Sequence, residues 1–150
     1  LWDSVRVKGG AYGVSCRLGR STGNFVCTSY RDPNVSGTIS AYDGIADYLS
    51  GMSLNREELE RAIVGAIGDL DLYMLPDARG VKSLYQYLAG DTEEKRQRMR
   101  EEMLSTTADD FRAFAGIMAE AKTHGAVSVI GGSRALEEGT RLGWKCENLF

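Results

Sequence analysis

Hydrophobic positions change period along the chain, and the changes mark its elements. Over residues 11–18 and 24–30 apolar and polar side chains alternate, as in half-buried strands. Between them Gly19-Arg20-Ser21-Thr22-Gly23 is a five-residue turn, so the two runs predict an antiparallel hairpin. The spacing then becomes helical. Asp32-Pro33 is a compact helix start, with Ile39, Tyr42, Ala46 and Leu49 as its buried stripe and Gly51 as its stop. Asn55 and Glu58 form a capping box for a second helix lined by Leu59, Ile63, Ile67, Leu70 and Met74, which Pro76 ends by disfavouring helix at Leu75.

Residues 80–88 predict a short helix with Val81, Leu84, Tyr85 and Leu88 turned inward. Residues 92–104 are crowded with charge, and Glu94 with Arg98 and Arg98 with Glu102 stand four apart, as on a solvated helix face. Thr107 with Asp110 starts another helix, with Phe111, Phe114, Ala115 and Met118 on its buried side and Gly125 as stop. Residues 126–130, Ala-Val-Ser-Val-Ile, are short, apolar and β-branched, which predicts a central strand. Ser133 is the expected N-cap of a last helix reaching Leu142, and residues 144–150 form a tail. At the amino terminus Trp2 and Val5 sit at helical spacing before Gly9-Gly10, so residues 1–8 read as the end of a helix. This order predicts an α/β (α+β) two-layer sandwich, with helices on one face of a mixed sheet.

Composition narrows the class. With 150 residues, 43% hydrophobic and 26% charged, the chain suits one globular domain. A net charge of -3 gives no overall attraction to nucleic acid or anionic lipid, and no run approaches the roughly 20 apolar residues of a membrane helix. Cys16, Cys27 and Cys146 contain no C-x-x-C pair. Cys16 and Cys27 can face each other across the hairpin, but buried free thiols in a reducing, intracellular compartment are the expectation.

Candidate chemistry concentrates in Arg6-Val7-Lys8-Gly9-Gly10-Ala11-Tyr12-Gly13. The glycines allow close backbone approach or positive φ, while Arg6 and Tyr12 place donors at the two ends. A peptide carbonyl, an anion or an oxyanion all call for such convergent donors. Plainer readings stand beside this one. Tyr12 alternates with Val14, Cys16 and Leu18, as a first core residue of the strand would, and Arg6 can be a solvated helix-end cation. A phosphate cradle is the weakest option, because Gly-Gly-x-x-Gly lacks the Lys-Ser/Thr ending of a P-loop. The single histidine, His124, stands before Gly125 at a predicted helix end, where it suits the helix dipole better than a metal.

Leu1-Trp2-Asp3-Ser4-Val5-Arg6-Val7-Lys8-Gly9-Gly10-Ala11-Tyr12-Gly13 followed by Ser29-Tyr30-Arg31-Asp32-Pro33-Asn34 resembles the carboxy-terminal part of the presequence protease branch of the insulinase-like (M16) zinc metallopeptidases. Ala62-Ile63-Val64-Gly65-Ala66-Ile67-Gly68-Asp69-Leu70-Asp71, Leu75-Pro76-Asp77-Ala78 and Glu93-Glu94-Lys95-Arg96-Gln97-Arg98 resemble it in the same order. The resemblance implies that residues 1–150 are the carboxy-terminal part of the last peptidase domain, without that domain's first strands and part of its first helix. It also implies an Arg and a Tyr, matching Arg6 and Tyr12, that hold the substrate carbonyl and the tetrahedral intermediate. The zinc then belongs to the amino-terminal half of the full-length polypeptide, and this fragment holds none and is inactive alone. The implied substrates are unfolded peptides, including cleaved targeting peptides. An uncovered sheet edge in such a fragment favours self-association. The competing class is a non-catalytic structural or peptide-binding domain of the same fold.

Overall fold

The computed structural model describes residues 1–19 and 22–148. A π-helical segment, Trp2–Lys8, is followed by strands β1 (Gly13–Leu18) and β2 (Phe25–Tyr30). Helices α1 (Val35–Asp43), α2 (Ile45–Ser50), α3 (Arg56–Leu70), α4 (Pro76–Leu88), α5 (Glu93–Leu104), α6 (Ala108–His124) and α7 (Ser133–Arg141) complete the order. The class is the expected α+β one, with helices on one face of a small open sheet. Arg20 and Ser21 of the expected turn, and residues 149 and 150 of the expected tail, lie outside the described residues. The chain forms two compact units, residues 1–49 with those from Ala115 onward, and Ser50–Phe114.

In the first unit β1 and β2 pair antiparallel, from Gly13 opposite Tyr30 to Leu18 opposite Phe25. The expected strand over residues 126–130 is absent. That run is irregular and exposed, and the sheet among the described residues has two strands. Apolar β-branched residues become a strand only where a neighbour takes up their backbone hydrogen bonds, and among the described residues no strand pairs with this run. The buried hydrophobic core is correspondingly small: Val5, Ala11, Ala115 and Met118.

The helix starts are set by local side chains. Asp32 does not cap α1. Its Oδ1 accepts from the Asn34 amide at 2.9 Å, and Asn34 is the N-cap, its Oδ1 accepting from the Gly37 amide at 3.3 Å. The helix expected to continue to Gly51 is divided at Gly44 into α1 and α2. The N-cap of α7 is Gly132, so Ser133 is the first helical residue instead of the cap.

In the second unit Asn55 and Glu58 form the expected capping box, each side chain accepting from the other's amide at 2.9 Å. Leu59, Ile63, Ile67 and Leu70 are half-buried along α3. The helix stops at Leu70, however, and Pro76 opens the next one: by holding Leu75 extended it creates the N-cap of α4. Residues Val81, Leu84, Tyr85 and Leu88, expected to turn inward, are exposed at 54%, 56%, 68% and 69%. On α5 the expected Glu94–Arg98–Glu102 ladder gives way to other partners. Gln97 donates to Glu101 at 3.0 Å, and Arg100 grips Asp71 with two bonds of 2.6 and 2.8 Å. Thr107 and Asp110 cap α6 as expected, the Thr107 amide donating to Asp110 Oδ2 at 2.7 Å.

Candidate functional site

The π-helical segment carries Arg6 on an exposed face while Val5 is 1% exposed. The turn after it is possible because of two glycines. A Cβ on Gly9 would stand 2.5 Å from the Val5 carbonyl oxygen, and Gly10 takes a φ of +82°. The chain thereby reverses, and the Ala11 amide returns to the Val5 carbonyl at 3.1 Å. Reversal brings Tyr12 beside Arg6, whose Nε donates to the Tyr12 carbonyl oxygen at 3.0 Å. The Arg6 guanidinium also lies over the Trp2 ring, 4.1 Å from its centroid, within cation–π range. Arg6 is therefore held at two points and is not merely a solvated helix-end cation.

Tyr12 sits at a bulge. Its amide donates to the Tyr30 carbonyl at 3.1 Å, although the strand partner of Tyr30 is Gly13, so two residues of one strand face one of the other. The bulge ends the alternation at Val14. The Tyr12 ring meets that of Tyr30 edge to face, with centroids 6.1 Å apart and planes at 79°. At 67% exposure Tyr12 is not the core residue that period two allows. Arg31, at a φ of +48°, brings its guanidinium 5.9 Å from the Tyr12 centroid and 5.5 Å from that of Tyr30. The cluster thus presents two exposed phenols, those of Tyr12 and Tyr30, together with two permanent cations, a set of donors suited to oxygen atoms bearing negative charge.

Trp2, Tyr30 and Arg31 were not legible as members of this cluster. The four-residue step from Trp2 to Arg6 on a helix was the available signal for one of them. The unusual φ of Arg31, by contrast, follows from the turn and leaves no mark in composition.

A groove of about 1050 Å³ runs along β2, between that strand and α1, α6 and residues 125–132. Asp32 Oδ2, Thr38 Oγ1 and Tyr42 OH, all on residues lining it, are buried and have polar neighbours close by, but none at full hydrogen-bond geometry among the described residues. Burial pushes the Asp32 carboxyl up. The Thr38 hydroxyl beside it, the Asn34 amide and the Ser29 hydroxyl outweigh this and hold it below the usual carboxylate value. Burial raises the Tyr42 phenol, with the Ser29 hydroxyl opposing.

No group of three or more His, Cys, Asp or Glu side chains that could hold a metal occurs among the described residues, and His124 is an exposed residue at the end of α6. These residues do not fit a zinc site. No helix among the described residues is long and apolar enough to cross a membrane.

Among the described residues the site therefore offers fixed donors and no cluster of metal ligands. Residues 1–133 match the PreP C-terminal domain, and the chain belongs to that family, within the presequence protease branch of the M16 metallopeptidases. Over 115 residues, 77% of the chain, it is 52% identical to presequence protease 1, chloroplastic/mitochondrial, of Arabidopsis thaliana. It is 33% identical over 95% of its length to protein HypA of Clostridium perfringens, and 31% identical over 99% to the mitochondrial presequence protease of Emericella nidulans. The chain spans 11% of the first of these relatives and 14% of each of the other two.

Proposed function

We propose that this chain is the carboxy-terminal part of the last domain of a peptide-degrading zinc metalloendopeptidase, to which it contributes substrate-carbonyl and oxyanion contacts and part of the chamber wall. The observation that carries the reading is the arrangement of Arg6 and Tyr12. An exposed phenol stands at a bulge, and the guanidinium beside it is tied to its own backbone carbonyl. With Nε engaged, the Nη groups of Arg6 remain to receive a substrate carbonyl, and the Tyr12 hydroxyl donates to the oxygen that gains charge as the carbonyl carbon becomes tetrahedral. Donors fixed before the reaction need no reorganisation as charge develops, which is why such groups favour the transition state over the ground state.

In this reading the zinc and the group that activates water belong to the amino-terminal half of the same polypeptide. The substrates are unfolded peptides, including cleaved targeting peptides, in keeping with the names of the presequence protease relatives. Those names, chloroplastic and mitochondrial, also support a site of action inside the cell.

A second reading, a peptide-binding domain without catalytic contacts, draws on the groove beside β2. The two separate in one experiment on the full-length enzyme. Tyr12→Phe lowers kcat if the phenol serves the intermediate, and leaves kcat unchanged if the domain only binds. The 150-residue chain alone is expected to hold no stoichiometric zinc and to cleave no fluorogenic peptide, which metal analysis and a direct assay test.

A further inference from the structure

Cys16 and Cys27 are direct partners in the β1–β2 register. Their rung can be classified from the end of the ladder. The Gly19 amide donates to the Asn24 carbonyl at 2.8 Å, and these residues continue the same register beyond Leu18 and Phe25. Hydrogen-bonded and non-hydrogen-bonded pairs alternate in an antiparallel ladder, so Cys16 and Cys27, three rungs away, are a non-hydrogen-bonded pair. The next rung supports the alignment on the other face, where Ser15 and Thr28 hydroxyls are 2.8 Å apart. In a non-hydrogen-bonded pair the Cα atoms lie about 4.5 Å apart with both side chains on one face. Disulfides span Cα separations of roughly 4.4–6.8 Å.

We propose that Cys16 and Cys27 form a redox-active dithiol that a small-molecule disulfide, such as oxidised glutathione, converts to a cross-strand disulfide. The two cysteines take different roles. Cys16 is exposed and meets the oxidant, whereas Cys27 is half-buried. Burial, and then the neighbouring Cys16, push the Cys27 thiol up to about 11, so Cys27 is the slower nucleophile. The Cys16 thiolate attacks one sulfur of the small disulfide, breaking its S–S bond and releasing one thiol. Cys27 then loses its proton and attacks Cys16 Sγ, which releases the second thiol and leaves the protein disulfide. Two protein thiols lose two electrons and two protons, and the small disulfide gains them. The product ties together the strands that follow Tyr12 and precede Tyr30, so it braces the hairpin on which the aromatic pair stands.

The test equilibrates the 150-residue chain in glutathione buffers stepped from reduced to oxidised. Acid quenching, alkylation and peptide mass spectrometry follow, with and without urea. The expected result is a chain without intermolecular disulfides and with a Cys16–Cys27 linked peptide two hydrogens lighter, appearing in one two-electron transition, with Cys146 outside the link. In urea the transition should move to more oxidising buffer, because the register no longer holds the thiols together. Cys27→Ser should instead accumulate a glutathione adduct on Cys16, and Cys146→Ser should leave the transition unchanged. A wild-type chain that carries glutathione on Cys16, links to Cys146 or to a second chain, or shows the same midpoint in urea overturns the proposal.

Discussion

Arg6 Nε donates to the backbone carbonyl of Tyr12 at 3.0 Å, so the cation and the phenol are held in one fixed relation by a side chain-to-backbone bond. The bond works in both directions. It orients the Arg6 fork, and it pins the backbone of Tyr12 beside its bulge, leaving the hydroxyl on an exposed side chain. The consequences of altering either residue therefore differ.

Tyr12→Phe removes only the hydroxyl. If that group donates to an oxyanion, kcat of the full-length enzyme falls by roughly 10²- to 10³-fold, equivalent to about 2.7 to 4 kcal/mol, with little change in KM. Because the ring is 67% exposed and its edge-to-face packing is kept, the melting temperature should be nearly unchanged. Steady-state kinetics and thermal melts check both. A large fall in melting temperature with normal activity of the folded fraction would restore the core-residue reading.

Arg6→Ala removes the carbonyl anchor, the bond to Tyr12 and the stacking on Trp2. A carbonyl held in ground and transition states alike predicts a higher KM together with a lower kcat. Arg6→Lys keeps the charge but not the planar fork, and should recover little. A variant pair with unchanged KM and unchanged kcat would remove Arg6 from the site.

Glu138 gives a pH signature for the first unit. Its carboxylate accepts from the Ser36 hydroxyl and, at 3.2 Å, from the Ser36 amide, and these bonds hold its carboxyl below the usual value. A carboxyl depressed in the folded state adds stability that is complete above its unfolded value and is lost as pH falls through the folded one. The melting temperature of Glu138→Gln should therefore lie below wild type at neutral pH, with the difference vanishing in acid below the ordinary glutamate range. Melts across that range test the sign, and a difference independent of pH contradicts it.

The exposed row Val81, Leu84, Tyr85 and Leu88 on α4, together with the two-stranded sheet, predicts that the chain self-associates. Light scattering across the micromolar range should show species larger than a monomer, and Leu84→Lys with Leu88→Lys should reduce them. A monomeric wild type throughout that range counts against the prediction.

Local signals in the sequence were sufficient wherever the partners are close along the chain. The Asn55–Glu58 and Thr107–Asp110 caps, the β1–β2 hairpin and the buried side of α6 all follow from side chains within a few residues of each other. The family was legible for the same reason, since it resides in contiguous motifs. Tertiary structure decided the rest. Residues 126–130 have the composition of a central strand but among the described residues no strand pairs with them, and the apolar stripe of α4 stays more than half exposed. Hydrophobic periodicity states which face of an element is apolar; burial also needs a second surface, which only the packed chain supplies. Likewise the bulge that turns Tyr12 towards Tyr30, and the left-handed backbone that brings Arg31 over both rings, arise from the pairing of two strands and from the turn after them. No single stretch of residues encodes that geometry.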